Sequence, residues 1–180
     1  MAGIDDLQIR LRNARQAILQ ALPDIAIENT ISAKDIIENK IRKVGFGVKY
    51  SDNKVPAWFF LKSTLNNTGL KFIQKKIEDK EETNWQELKS AEGLPTGHVD
   101  LSHTNKMWAS LTPMEPQISG NRIIVGLGSG NQEGAKVLNY NRARYGDFMG
   151  QVLGKPEMQI LGEVVLAKIG QILQDNGINT

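Results

Sequence analysis

The 180-residue chain contains no cysteine. That absence excludes disulfides, thiolate catalysis and cysteine-ligated zinc. Histidine is scarce, with 2 in the chain, which leaves little material for an imidazole metal centre. Aromatic residues make up 6%, so a core must lean on Ile, Leu and Val. No apolar run approaches the roughly 20 residues that a membrane span needs. The first stretch, MAGIDDLQIRLRNARQ, carries charges from Asp5 onward in place of an apolar signal core. A soluble protein with no membrane contact is therefore expected. Charge of one sign is also missing. The 22 basic and 20 acidic residues leave a net charge of +2 and are interspersed along the whole chain. A protein that binds nucleic acid mainly by electrostatics would show a basic arm or face in its composition.

What is present is 40% hydrophobic residues, which suits one domain with a real core. Ile4, Leu7, Leu11, Ala14, Ile18 and Leu22 recur at spacings of three and four and predict an amphipathic helix, with Asp5 and Asp6 in its first turn. Pro23 is expected to break or bend it, or to open a second helix running to about Lys43. Gly45 and Gly47 stop that second helix. Residues 45–99 then change character. They hold a loop at Ser51-Asp52-Asn53, the apolar cluster Trp58-Phe59-Phe60-Leu61, a helix from Leu65 to Lys80 weakened by Gly69, and a Thr83-Asn-Trp-Gln86 capping box opening a short helix that ends near Ala91. A segment of that size would be a marginal domain alone. It reads as an insertion at 45–99 within one domain spanning 1–180.

Residues 100–150 form the stretch that organises the rest. Thr104 and Asn105 open a capped turn, and Met107, Trp108 and Leu111 supply apolar contacts. Met114 to Ile118 and Arg122 to Val125 read as two strands around Ser119-Gly120-Asn121. The glycines of GLGSG, residues 126–130, end the hairpin, 131–135 is loop, and Val137 to Gln151 is helical or irregular. Pro156 opens a last helix whose stripe runs from Ile160 to Leu173.

Three groups invite a chemical reading. His98, Asp100 and His103 are close in sequence and would make a small metal-dependent or binding module, but the spacing is not a helical pair and no further His completes a site. GLGSG lacks the Gly-Lys-Ser/Thr ending of a phosphate loop and follows a hairpin rather than opening a helix. Tyr140, Arg142, Arg144 and Tyr145 combine the residue types that dominate protein interfaces. Trp58, Phe59 and Phe60 are a second set of interface candidates. No nucleophile elbow and no catalytic residue is identified, and no cofactor is expected.

The order of these parts resembles the tail-completion, or head–tail joining, proteins of tailed bacteriophages. That family begins with a bipartite amphipathic helix. A Thr-Gly-x-Leu-x-x-Ser element follows, then a hairpin ending in Val-Gly, a tyrosine-bearing segment and a C-terminal helix. Thr104-Asn105-Lys106-Met107-Trp108-Ala109-Ser110 is similar to the first element, with Asn105 in place of Gly and Met107 in place of Leu. Ile123-Ile124-Val125-Gly126 is similar to the strand ending, and Tyr140 with Tyr145-Gly146 to the segment after it. Residues 45–99 have no counterpart in the short members. The resemblance implies an α+β fold, a small antiparallel sheet packed by the N-terminal and C-terminal helices, with a helical insertion. It also implies a non-enzymatic virion protein assembled in the host cytoplasm. Such a protein forms a homo-oligomeric ring in the neck, between portal or connector proteins and the tail, with the channel face meeting DNA as a further expectation.

The metal alternative has a direct check. Purified protein is expected to carry no stoichiometric zinc by elemental analysis; zinc at one per chain that disappears in His98→Ala would establish that module instead.

Overall fold

The computed structural model describes residues 3–101, 105–120 and 122–178. Ile4–Val44 is one helix, α1, of 41 residues, about 60 Å long at 1.5 Å per residue. The expected division at Pro23 does not occur: Pro23 lies inside the continuous helix. A mid-helix proline removes one backbone hydrogen bond and costs about 3 kcal/mol. Here packing outweighs that loss, because Ile25 just beyond the proline is buried and the helix is held on either side of it by buried Ala14 and by buried Ile37 and Ile41. The expected stripe is only partly covered: Ile4, Leu7, Leu11 and Ile31 are exposed. The last helix, Lys155–Asp175, runs antiparallel along α1. Lys40 pairs with Glu157 at 2.5 Å, Glu28 pairs with Lys168, and the Arg10 guanidinium reaches the Gly177 carbonyl at 3.4 Å. Pro156 stands in its first turn, as the sequence predicts, and the Glu157 carboxylate accepts the Gly154 N–H at 2.9 Å. The Lys40 ammonium holds the Glu157 carboxyl below the ordinary carboxylate value.

The sequence between these helices holds an interrupted antiparallel ribbon, which packs on α1 and on the helix Gln132–Tyr145. Leu111–Pro113 (β3) pairs with Leu127–Ser129 (β6), and Gln117–Ser119 (β4) with Arg122–Ile124 (β5). Three residues, 114–116, face two, 125–126, so the register shifts by one and the ribbon bulges. Pro113 and Pro116 flank the bulge and donate no N–H, which is why the expected single strand from Met114 to Ile118 is split. The glycines after Val125 do not form a free bend. Leu127–Ser129 is strand, and Gly128 is glycine because a Cβ there would come within 2.9 Å of Met114 Sδ.

Asn105 is left-handed, with φ of 55°, as its residue type allows, and opens the short helix α4, Lys106–Ser110. Thr104 and Asn121 lie outside the described residues. The stretch 131–135, expected as loop, instead starts helix α5, Gln132–Tyr145, because the Asn131 side chain accepts the Gly134 N–H at 2.8 Å and caps it. Helix α6, Phe148–Val152, follows. Ile37, Ile41, Met107, Trp108, Leu111, Leu138, Phe148, Met149 and Val152 make the main core.

Residues 45–99 carry a second, smaller cluster of Phe60, Ile73 and Leu88, with Trp85 edge-on to Phe60 at 5.0 Å. Val55–Pro56 (β1) pairs with Glu82–Thr83 (β2); helix α2 is Asn67–Glu78 and α3 is Trp85–Ala91. Asn66 caps α2, so Gly69 sits in the first turn rather than the interior and receives the capping bond. The cap of α3 is Asn84, one residue beyond the expected Thr83; Thr83 is in the strand and donates its hydroxyl to Glu87. The two ends of the segment meet, since the Val99 N–H donates to the Val48 carbonyl at 3.1 Å. The molecule is thus an α+β fold with helices at both ends and three small two-stranded antiparallel ladders among the described residues.

Two glycines test this packing in opposite directions. A Cβ at Gly134 would come within 1.8 Å of Ser110 Oγ and 2.3 Å of Ser110 Cβ, where α4 meets α5. Gly134→Ala is expected to destabilise by about 1–3 kcal/mol through overpacking. At Gly170, inside the last helix, nothing lies within 4 Å, and Gly170→Ala is expected to stabilise by about 1 kcal/mol. Denaturant unfolding measures both.

Candidate functional site

The insertion and the main core meet around a cleft of about 1090 Å³. Its walls come from two elements with different periodicities. Ala57–Lys62 is a 3-10 helix, so side chains three apart share a face. Ala57 and Phe60 therefore turn into the small core, while Trp58 and Phe59 remain 61% and 55% exposed at the cleft. On α5, residues three and four apart align. Val137, Tyr140, Asn141, Arg144 and Tyr145 consequently line the opposite wall.

Six of the seven expected interface residues thus surround one cavity: Trp58, Phe59, Phe60, Tyr140, Arg144 and Tyr145. Arg142 is the exception. It is exposed on another side of α5, about 200° around from Tyr140 at 100° per residue. Arg144 donates to the Tyr140 hydroxyl at 3.0 Å and lies 5.5 Å from the Tyr145 ring centre. The hydrogen bond to Tyr140 raises the Arg144 guanidinium further above its ordinary value. Tyr145 in turn packs edge-on against Phe46 at 5.4 Å, and burial raises its phenol. Lys49 and Lys62 add positive charge to the lining.

At the cleft's inner wall sits a group that sequence reading does not identify. Lys89 and Asp100 are 1% and 2% exposed and form an ion pair. The Lys89 ammonium also donates to the Tyr50 hydroxyl at 2.8 Å, and that hydroxyl donates to Asp100 at 3.2 Å. Burial, then the adjacent Asp100 carboxylate, pushes the Tyr50 phenol well above its ordinary 10.0. A phenol held protonated is a poor base, and an ammonium paired to a carboxylate is a poor nucleophile. The three groups satisfy one another in a low-dielectric setting. They tie α3 to the two ends of the insertion. The sequence singles out Asp100 only beside the two histidines, and nothing in it marks Lys89 or Tyr50, because Lys89 follows an apolar Leu88 on a short helix and its partners lie 39 and 11 residues away.

His98 and Asp100 are not turned toward a common centre. His98 Nε2 lies 2.9 Å from the Arg42 carbonyl, and its ring covers Gly45, where a Cβ would come within 2.8 Å. Asp100 faces Lys89 and Tyr50. His103 lies outside the described residues. Among the described residues no three His, Asp or Glu side chains gather as a metal site. No helix among them is long and apolar enough to cross a membrane. Comparison of the chain with family models, curated proteins and solved structures finds no significant match.

Removing one partner of the buried pair should be costly, since it leaves an uncompensated charge. Lys89→Met is expected to lower stability by about 3–5 kcal/mol. The raised Tyr50 phenol sets an alkaline limit. Above pH 10.0 the unfolded chain loses the Tyr50 proton while the folded chain keeps it, so stability falls as pH rises through that range. Denaturant unfolding at increasing alkaline pH should show a shallower loss in Tyr50→Phe than in the native chain. Equal slopes would remove Tyr50 from the account.

Proposed function

We propose that this chain is a structural, non-catalytic subunit of the ring at the head–tail junction of a tailed bacteriophage, joining portal-side proteins to the tail. It is assembled in the host cytoplasm and resides in the virion neck. The observation that carries this reading is surface. The chain exposes 11875 Å², whereas a compact monomer of 20.0 kDa is expected to expose about 8,700 Å². The excess of about 3,000 Å² is more than the roughly 800 Å² that one partner contributes to a stable interface. A protein that works as a free monomer has no use for that excess. A subunit with neighbours on several sides does.

The elements behind the family resemblance support the same reading. Ser110 closes the first element by donating to the Met107 carbonyl at 2.8 Å and packing where α5 begins. Ile123 and Ile124 lie on β5, and Gly126 receives the Met114 N–H in the ribbon. Gly146 ends the tyrosine-bearing helix with a φ of +68°. The cleft is the surface on which a neighbouring subunit or the adjoining ring seats. Its aromatic walls and the cations Lys49, Lys62 and Arg144 fit an apolar segment that also carries carboxylates. The buried Lys89–Asp100 pair contributes no net charge to that recognition.

The chain should be recovered from purified virions at a fixed copy number and located at the neck by electron microscopy. Particles made without it should accumulate as unjoined heads and tails. In complementation, Arg144→Glu is expected to reduce joined particles at least about tenfold, as reversing an interface charge does. Arg142→Glu, outside the cleft, should have a much smaller effect. Virions that lack the chain yet remain joined and infectious would overturn the proposal. Normal joining with loss of packaged DNA in the Arg142 variant would assign that arginine to the channel.

A further inference from the structure

The first turns of α1 form a largely bare arm. The first buried residue of the helix is Ala14. Ahead of it Ile4, Leu7 and Leu11 are 77%, 52% and 49% exposed. Spaced by three and four, they fall within about 60° of one another and make one apolar stripe. Arg10 is tied back, to Asp6 at 2.7 Å and to the Gly177 carbonyl at 3.4 Å. The tip from Ile4 to Ile9 holds Asp5 and Asp6 and no cation. These two carboxylates outweigh the charge of about +0.5 that the helix dipole places at its first turn.

The cleft has the opposite character. Lys49, Lys62 and Arg144 line it, and the one carboxylate in its lining among the described residues, Asp100, is paired with Lys89. Two turns of helix, about 11 Å long and 10 Å across, occupy about 850 Å³, and the cleft measures about 1090 Å³. With the stripe laid on the exposed Trp58 and Phe59, the arm turns Asp5 about 130° away, toward the opposite wall, where α5 carries Arg144.

The arm cannot reach the cleft of its own chain. It stands at one end of a helix about 60 Å long, and the cleft lining begins at Val48, just past the other end at Val44. An arm that fills the cleft therefore comes from another copy. Arm and cleft are different surfaces, so the contact runs head to tail.

We propose that the N-terminal arm of α1, residues 4–11, seats in the cleft of the next copy, with its apolar stripe on Trp58 and Phe59 and with Asp5 on Arg144. This rests on the reading of the cleft as a neighbour's seat and names the part of the neighbour that fills it.

The chain has no cysteine, so introduced cysteines report the contact. Full chains carrying Leu7→Cys, mixed with full chains carrying Phe59→Cys, should cross-link one to the other under mild oxidation. Leu19→Cys, similarly exposed but about 18 Å further along the helix, should not. Light scattering should give masses above the 20.0 kDa of one chain that rise with concentration. Asp5→Lys and Arg144→Glu should each weaken that association about tenfold or more with unchanged circular dichroism, and the two together should restore it. A single-chain mass at the highest soluble concentration, equal cross-linking of Leu7→Cys and Leu19→Cys, or a double variant no better than the single ones overturns the proposal. Unjoined particles in Arg144→Glu without the cross-link from Leu7→Cys overturn the arm and leave the neck reading standing. The cross-link in a chain that is absent from virions upholds the arm and overturns the neck, so the two readings fail separately.

Discussion

Everything in this molecule is hung on α1, and that helix must stay continuous through a proline. An isolated helix with proline at its centre would divide there, since the missing N–H and the ring clash outweigh what propensity supplies. Burial of a single isoleucine contributes about 1.5–3 kcal/mol. Ile25 lies two residues beyond Pro23 and is buried, and Ile37 and Ile41 anchor the same helix in the main core. The antiparallel last helix then holds both halves of α1 in line through ion pairs at Glu28 and Lys40. Continuity of α1 is therefore a tertiary result. It fixes where Gly45 turns the chain out, and so where the insertion begins.

The insertion depends on a second constraint, the burial of a charge pair. Its own cluster of three fully buried side chains is small, and it would be loosely placed without a tie to the body. Lys89, Asp100 and Tyr50 supply that tie with directional bonds rather than apolar contact. Directional ties fix position without filling space. The cleft is what remains between two apolar clusters joined in this way. Its walls stay aromatic and exposed because the 3-10 repeat of Ala57–Lys62 has already spent Ala57 and Phe60 on the inside.

The parts legible in the sequence were those set by local pattern. The helical period of α1, the proline start of the last helix, the left-handed Asn105 and the turn at Ser119-Gly120 each follow from residues within one or two turns of one another. The buried face expected on α1 does not, since Ile4, Leu7, Leu11 and Ile31 are exposed while Ala14, Ile37 and Ile41 are buried. The misreadings share a cause, which is that a distant partner decided the outcome. Pro23 stays helical because of α7, the helix Lys155–Asp175, and Gly134 is a helical glycine because Ser110 leaves no room for a Cβ. Gly128 is a strand glycine because of Met114. The candidate residues Trp58, Phe59, Phe60, Tyr140, Arg144 and Tyr145 are recognisable by type, but only the fold brings them to one cavity, and it leaves Arg142 outside. The buried Lys89 was not legible at all, because a lysine beside a leucine on a short helix carries no mark of its partners.

The head-to-tail contact proposed at the cleft carries a symmetry condition. A cleft that receives a different part of the next chain closes into a ring only when the rotation it imposes divides the circle; otherwise the copies run on as an open filament. That rotation depends on how firmly the two walls of the cleft are held. One wall is α5, capped by Asn131 and packed on Ser110. The other is the 3-10 segment Ala57–Lys62, whose Phe60 ring stands edge-on to Trp85 at 5.0 Å. Rigid walls turn a shape match into a fixed angle, and a fixed angle is what a closed ring of the proposed kind requires.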